Sequence, residues 1–264
     1  MMTNQFWSCV GLSIVGMVAT APCRAQDAQP TGPTAAQQWV QARQAEFAEY
    51  RFRRESERAV ALTMQPHSIL NWSNPERGTD SGAVFLWTEE GRPQMIACAF
   101  EFGGLLKHEF QSLSTEPIAA QRGTSEVHRF GPGVEWQLLA KAPPPATQRP
   151  LRLTQMRRQA DRFRAQVGSS PTRLLTQPVY RSPADAEEDI AAFLFVQGTD
   201  PELTLLLAIS PEKEWRYALA RQTKWGLKVE LDGAPLWSQS SAAKAKADSP
   251  FIVIPQKTVT AGQP

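Results

Sequence analysis

Three histidines are the side chains best suited to acid–base or metal chemistry in this sequence: His67, His108 and His128. Their separations are long and match none of the short spacings of zinc motifs, so each reads first as a surface or hydrogen-bonded histidine. Glu109 follows His108, but neighbouring side chains on a strand point to opposite faces, so the two cannot act as one pair. Gly78-Thr79-Asp80-Ser81-Gly82 contains an Asp-Ser-Gly string of the kind that can present a nucleophilic serine. No histidine and aspartate in matching context accompany it, and a glycine-rich loop entering a strand is the simpler reading. Asp80, Glu89, Glu90 and Glu109 are available carboxylates, with no spacing that marks an acid/base pair. Dinucleotide, phosphate-loop, CxxC, HExxH and calcium-loop motifs do not occur, and neither a metal nor a cofactor is expected. If the strands carry a ligand site, the residues singled out are His108 and Glu109, with Arg216 at the echoed place later in the chain.

Two broader features have surface readings. Arg152, Arg157, Arg158, Arg162 and Arg164 give the second helix a basic face that can meet an anionic partner, or simply stay solvated. Trp72, Trp87, Trp136, Trp215, Trp225 and Trp237 fall on or beside expected strands. Exposed, they would stack on sugar rings; buried, they fill a core, which is the commoner use of tryptophan in sheets.

The elements that position these residues follow from pattern. Thr34-Ala35-Ala36-Gln37 has the form of a capping box, and a helix is expected from there to about Arg58, with Val40, Phe47 and Tyr50 on its apolar side. Strands are expected over 68–72, 82–88, 95–102, 108–113 and 134–139, with Glu89 to Pro93 turning one pair. Pro143-Pro144-Pro145 reads as a stiff connector. Leu153, Met156, Ala160, Phe163 and Val167 recur at helical spacing and are ended by Gly168, which predicts a second helix. Strands resume over 174–180, 192–196, 203–209, 215–219, 227–231 and 236–237. Phe251 to Ile254 is the one strand-like run in the remaining tail.

The two halves echo each other. Phe85-Leu86-Trp87 with Pro93 recurs at constant offset as Phe193-Leu194-Phe195 with Pro201, each after a Gln/Ala/Arg-rich helix. One reading is an internal duplication of a helix-plus-antiparallel-strands unit; the other is that half-buried hairpins draw on the same residue types. The fold class expected is α+β, two main helices packed on largely antiparallel sheet. The expected organisation is a signal peptide at 1–25, a disordered leader at 26–33, a first half at 34–140, a Pro-rich connector at 141–150, a second half at 151–238 and a mobile tail at 239–264.

Composition bounds the partners and the compartment. Lys plus Arg total 28 against 26 for Asp plus Glu, so no net field draws the chain to nucleic acid. The apolar run from Phe6 to Ala21, ending in Ala21-Pro22-Cys23-Arg24-Ala25, reads as a secretory signal cleaved after Ala25, although no Lys or Arg precedes Phe6. The run is too short for a comfortable span, so no membrane span is expected after cleavage. Cleavage would remove Cys9 and Cys23 and leave Cys98 alone, so the fold must be held by its core and Cys98 reads as a buried small hydrophobe.

The strings Ile69-Leu70-Asn71-Trp72-Ser73-Asn74-Pro75, Gly91-Arg92-Pro93, Val179-Tyr180-Arg181 and Trp215-Arg216-Tyr217-Ala218-Leu219-Ala220-Arg221 resemble an uncharacterised secreted family of planctomycete-type bacteria. The resemblance implies export and a shared fold, and it transfers no catalytic residue. The function expected is an exported soluble binding or interaction module without catalysis, for an unidentified ligand or protein partner. The alternatives are a secreted hydrolase with a polar site between the halves, and a structural cell-envelope protein. The binding reading requires an apolar or aromatic-lined concavity free of clustered titratable groups. The hydrolase reading requires at least two of His67, His108, His128, Asp80 and Glu109 to converge in one pocket.

Overall fold

A computed structural model describes residues 33–55, 59–242 and 246–256. The expected signal segment and all of the expected leader but Pro33 lie outside the described residues. From Thr34 onward the chain forms one compact unit.

The first half runs α1 (Ala35–Ala48), β1 (Tyr50–Arg54), β2 (Val60–Ala61), β3 (Thr63–Met64), β4 (Leu70–Asn74), a 3-10 turn (Pro75–Arg77), β5 (Thr79–Glu89), β6 (Arg92–Phe102), β7 (Leu105–Ser112), β8 (Ile118–Arg122), β9 (Ser125–Phe130) and β10 (Gln137–Leu138). The second half runs α2 (Arg149–Ala160), β11 (Phe163–Val167), β12 (Ser170–Pro171), β13 (Arg173–Leu174), β14 (Tyr180–Arg181), β15 (Asp189–Gln197), β16 (Asp200–Ile209), β17 (Trp215–Arg221), β18 (Leu227–Leu231), β19 (Ala234–Gln239) and β20 (Phe251–Pro255). The strands form four antiparallel sheets. The outer two have the orders β2-β1-β8-β9 and β12-β11-β18-β19. The central two have the orders β20-β7-β6-β5-β3, with β4 also on β5, and β10-β17-β16-β15-β13, with β14 also on β15.

This overturns the expected α+β class. Strand makes up 50% of the chain and helix 13%, so the molecule is a β-rich sandwich rather than two helices laid on a sheet. The reason lies in what covers the central sheets. Phe85 and Trp87 on β5 enter a core shared with Phe52 of β1, Ile118 of β8 and Phe130 of β9. Val84 and Leu86, in alternation with them, enter a second core shared with Leu194 of β15, Leu206 of β16 and Ala218 of β17. A third core joins β15–β17 to β11 and β18. Each central sheet is therefore covered on both faces by other sheets, and its strands read as unbroken apolar runs because every residue points into a core. The helices add only a few side chains, chiefly Phe47 from α1 and Met156 and Ala160 from α2.

Both helices end earlier than their sequences suggest. The capping box is formed: the Thr34 hydroxyl accepts from the Gln37 amide, and the Gln37 side chain accepts from Thr34. The helix nevertheless stops at Ala48, and Tyr50 and Phe52 alternate with Arg51 and Arg53 on β1. Likewise Phe163, Ala165 and Val167 lie on β11, not on α2. In both places a helix runs directly into a strand whose period-2 pattern also fits a helical spacing of four.

Each half lends its last strand to the other. β10 pairs with β17, and β20 pairs with β7, so Val253 lies opposite Glu109. Phe251–Pro255 is thus a sheet strand within what the sequence suggested was a mobile tail. The triple-proline connector is also tied down, with the Trp215 indole N–H donating to the Pro143 carbonyl at 2.8 Å. No described helix is long and apolar enough to cross a membrane.

Candidate functional site between the central sheets

The strand register decides where the singled-out residues go. On β7, His108 pairs with Ala99 and Glu109 with Cys98. Ala99 belongs to the core against the outer sheet and Cys98 to the core between the central sheets. His108 and Glu109 therefore face opposite ways, as strand geometry requires.

His108 is fully buried among aromatic rings. Its Nδ1 shares a hydrogen bond with the Tyr50 hydroxyl at 3.0 Å, and the Phe47 ring lies 4.4 Å away, centroid to centroid. Its Nε2 lies 3.3 Å from the Glu46 carboxylate. Burial, reinforced by the Arg122 and Arg43 charges, lowers its pKa to about 3, so it is a neutral core group. His67 is exposed, and His128 sits on β9 beside the Ser249 carbonyl, 2.9 Å from Nε2. Among the described residues, no group of three His, Cys, Asp or Glu is placed to hold a metal ion.

Glu109 lines a cavity of about 480 Å³ at one edge of the interface between the central sheets. Cys98, Phe100 and Phe102 of β6, Lys107 of β7 and Val253 of β20 form one side. Asp200 and Glu202 of β16, the Gln222–Trp225 loop and Arg77 form the rest. Arg77 follows β4 and crosses to the second half, where its guanidinium donates to Asp200 at 3.1 Å and to Glu202 at 2.7 Å. Glu202 is 1% exposed, while the Asp200 side chain retains 29% of its surface. Lys107 and Lys224 lie over the Phe102 and Trp225 rings, 4.7 and 4.9 Å from their centroids. Trp225 is 50% exposed at the rim.

The electrostatics of this cluster follow from burial and like charge. Burial and then the neighbouring Glu202 carboxylate raise Asp200 to about 7, against the opposing pull of Arg77. Burial also raises Glu109 well above the ordinary carboxylate range, with Asp200 and Glu202 adding to it and Arg221 and Lys107 opposing. The Cys98 thiol is raised by burial and then by the Glu109 and Asp200 charges, so it is held protonated rather than as a nucleophile. Among the described residues, the Glu109 carboxyl makes no hydrogen bond and no ion pair, although it is only 6% exposed.

The second half supplies a comparison within the same molecule. The β5–β6 and β15–β16 hairpins carry a bulge at matching places, between Trp87 and Thr88 and between Phe195 and Val196. Cys98 then corresponds to Leu206 and, through its partner, Glu109 corresponds to Ala218. Asp200 and Glu202 correspond to Arg92 and Gln94. The crossing ion pair recurs with its signs exchanged, as Arg92 to Glu188. A fold position that accepts alanine in one half does not need a buried carboxyl in the other.

The same register corrects the echo assigned to Arg216. Arg216 pairs with Ala208, and it is Tyr217 that corresponds to His108. The β16–β17 connection is longer than the β6–β7 one, which slips the match by one residue, and a one-residue slip on a strand exchanges faces. Arg216 is exposed and does not line the cavity. Of the five residues that a hydrolase site would have drawn together, Glu109 alone reaches it. The cavity has aromatic walls, but it also holds clustered titratable groups, which the binding reading required to be absent. Asp200 and Glu202 were hidden by their position just past a strong turn signal. The clue available was that Glu202 stands in step with the inward-facing Thr204 and Leu206, where an apolar residue is expected.

No protein-family model, no curated protein and no solved structure matches the chain.

Proposed function

We propose that this chain is an exported binding module without catalysis, and that its ligand seats in the cavity between the two central sheets. The observation that carries the reading is Glu109, which makes no hydrogen bond or ion pair among the described residues and lines a cavity whose wall combines aromatic rings with charged side chains. The corresponding position in the other half is Ala218, so the fold itself does not call for a carboxyl there. Retaining the carboxyl makes sense where a bound molecule completes it. A volume of about 480 Å³ suits a small organic ligand.

Fluorescence titration with the uncharged apolar probe N-phenyl-1-naphthylamine tests the site. The wild-type protein should enhance the probe's emission, and Val253→Trp, which fills the cavity from the edge strand, should abolish the enhancement while leaving the melting curve in place. Unchanged enhancement in Val253→Trp would place binding elsewhere. Export rests on the 6–25 segment and is tested by the mass of the exported protein, which should begin at Gln26; an intact Met1 would overturn it.

A further inference from the structure

The geometry points to an organic cation as the ligand, an ammonium group on an aromatic or aliphatic body, with the ammonium seated on the Glu109 carboxyl. This inference rests on the cavity being the binding site. Three features of the cavity select the charge. Glu109 is the one cavity carboxyl with no hydrogen bond or ion pair among the described residues, whereas Asp200 and Glu202 already share Arg77. Lys107 and Lys224 line the cavity as well, each laid over a rim ring, so three cationic side chains balance three carboxyls and the selection is made locally, at the unpaired Glu109. A neutral ligand would offer Glu109 a hydrogen bond but not the charge-assisted one that an ammonium provides.

The second feature is the aromatic wall. The Phe102 and Trp225 rings each already carry a lysine ammonium on one face, which shows that their orientation at the rim suits a cation. Phe100 supplies a further ring inside. Burial favours the protonated Glu109 carboxyl, so an ammonium seating there displaces that proton to solvent, and a carboxylate so formed beside aromatic faces is the arrangement that recognises substituted ammonium ions. The third is the lack of metal-binding geometry among the described residues, which favours an organic over an inorganic cation. Apolar contacts with Cys98, Phe100 and Val253 would hold the body while the carboxyl fixes the head.

The test uses three probes of one shape: phenethylamine, 2-phenylethanol and phenylacetate, each titrated calorimetrically into the full-length protein. Phenethylamine should bind about ten-fold or more tightly than the alcohol, and phenylacetate more weakly than either, the increment expected for a charge-assisted hydrogen bond. Glu109→Gln should lower phenethylamine affinity about ten-fold while leaving the alcohol within about two-fold. Asp200→Asn, at the partly exposed rim, gives a second reading in the same direction if Glu109→Gln does not fold. Equal affinity for amine and alcohol, tighter binding of phenylacetate, or an amine affinity indifferent to both variants would overturn the cation assignment. Displacement of N-phenyl-1-naphthylamine separates this from the site itself. A cavity that takes the probe and loses it in Val253→Trp, yet ignores phenethylamine, keeps the site and refutes the cation; a cavity that takes neither refutes both.

Discussion

A partly exposed carboxyl and a buried histidine with oppositely displaced pKa values give this protein a readable pH dependence. Asp200 is raised from 3.8 to about 7 in the fold. Between those values the folded state holds a proton that the unfolded chain has lost, so the contribution of Asp200 to stability falls as pH rises from about 4 to about 7. His108 is lowered from 6.5 to about 3, so below pH 6.5 the unfolded chain binds a proton that the fold refuses. Its contribution is intact above 6.5 and declines as pH falls toward 3. Urea denaturation from pH 4 to 8 should show Asp200→Asn gaining on wild type as pH rises. His108→Gln should flatten the acid side instead. Parallel curves for wild type and Asp200→Asn would mean that Asp200 titrates normally. Of these residues, Glu109 was legible in the sequence as a candidate, and the separation of its face from that of His108 followed from strand geometry alone. Asp200, Glu202 and Arg77 were not legible, because their meeting depends on how one sheet sits on the other.

At the scale of elements, the hairpins were readable and the helix ends were not. The Glu90-Gly91 turn has positive φ at both residues, 49° and 81°, the conformation that a tight two-residue hairpin requires, and its sequence announces it. The Ala48 and Ala160 helix ends carry no glycine or proline stop, and the strands that follow hide in a pattern that helices share. β10 and β20 are short and their partners lie in the opposite half, so neither could be paired from local pattern. Phe47 is where α1 matters most to the fold. It is fully buried, its ring stacks on Phe85 at 4.6 Å, and Trp87 and Phe110 lie within 6.1 Å. Phe47→Ala should cost about 3–5 kcal/mol in urea unfolding, because several rigid rings cannot collapse into the space it leaves. A loss below about 1 kcal/mol would show that α1 is dispensable to that core.

For the whole molecule, the exchange of strands and the crossed ion pairs argue against two independent halves. β10 completes the sheet of the second half and β20 that of the first, while Arg77 and Arg92 each reach a carboxylate across the junction. Further bonds lie beside them: the Tyr180 hydroxyl donates to the Gly91 carbonyl at 2.8 Å, and the Asn74 amide to the Gln197 carbonyl at 3.2 Å. Thermal unfolding should therefore appear as one transition, with tryptophan fluorescence and far-ultraviolet circular dichroism coinciding, and residues 34–140 alone should not fold. Two separated transitions would mean that the halves are autonomous.

The proposed binding site is the cavity between the central sheets. Backbone amide chemical-shift mapping during titration with N-phenyl-1-naphthylamine tests it most directly. The shifts should gather at 98–102, 107–109, 200–202, 222–225 and 253–255. Shifts confined to the outer sheets, or no shift at a saturating concentration, would contradict it.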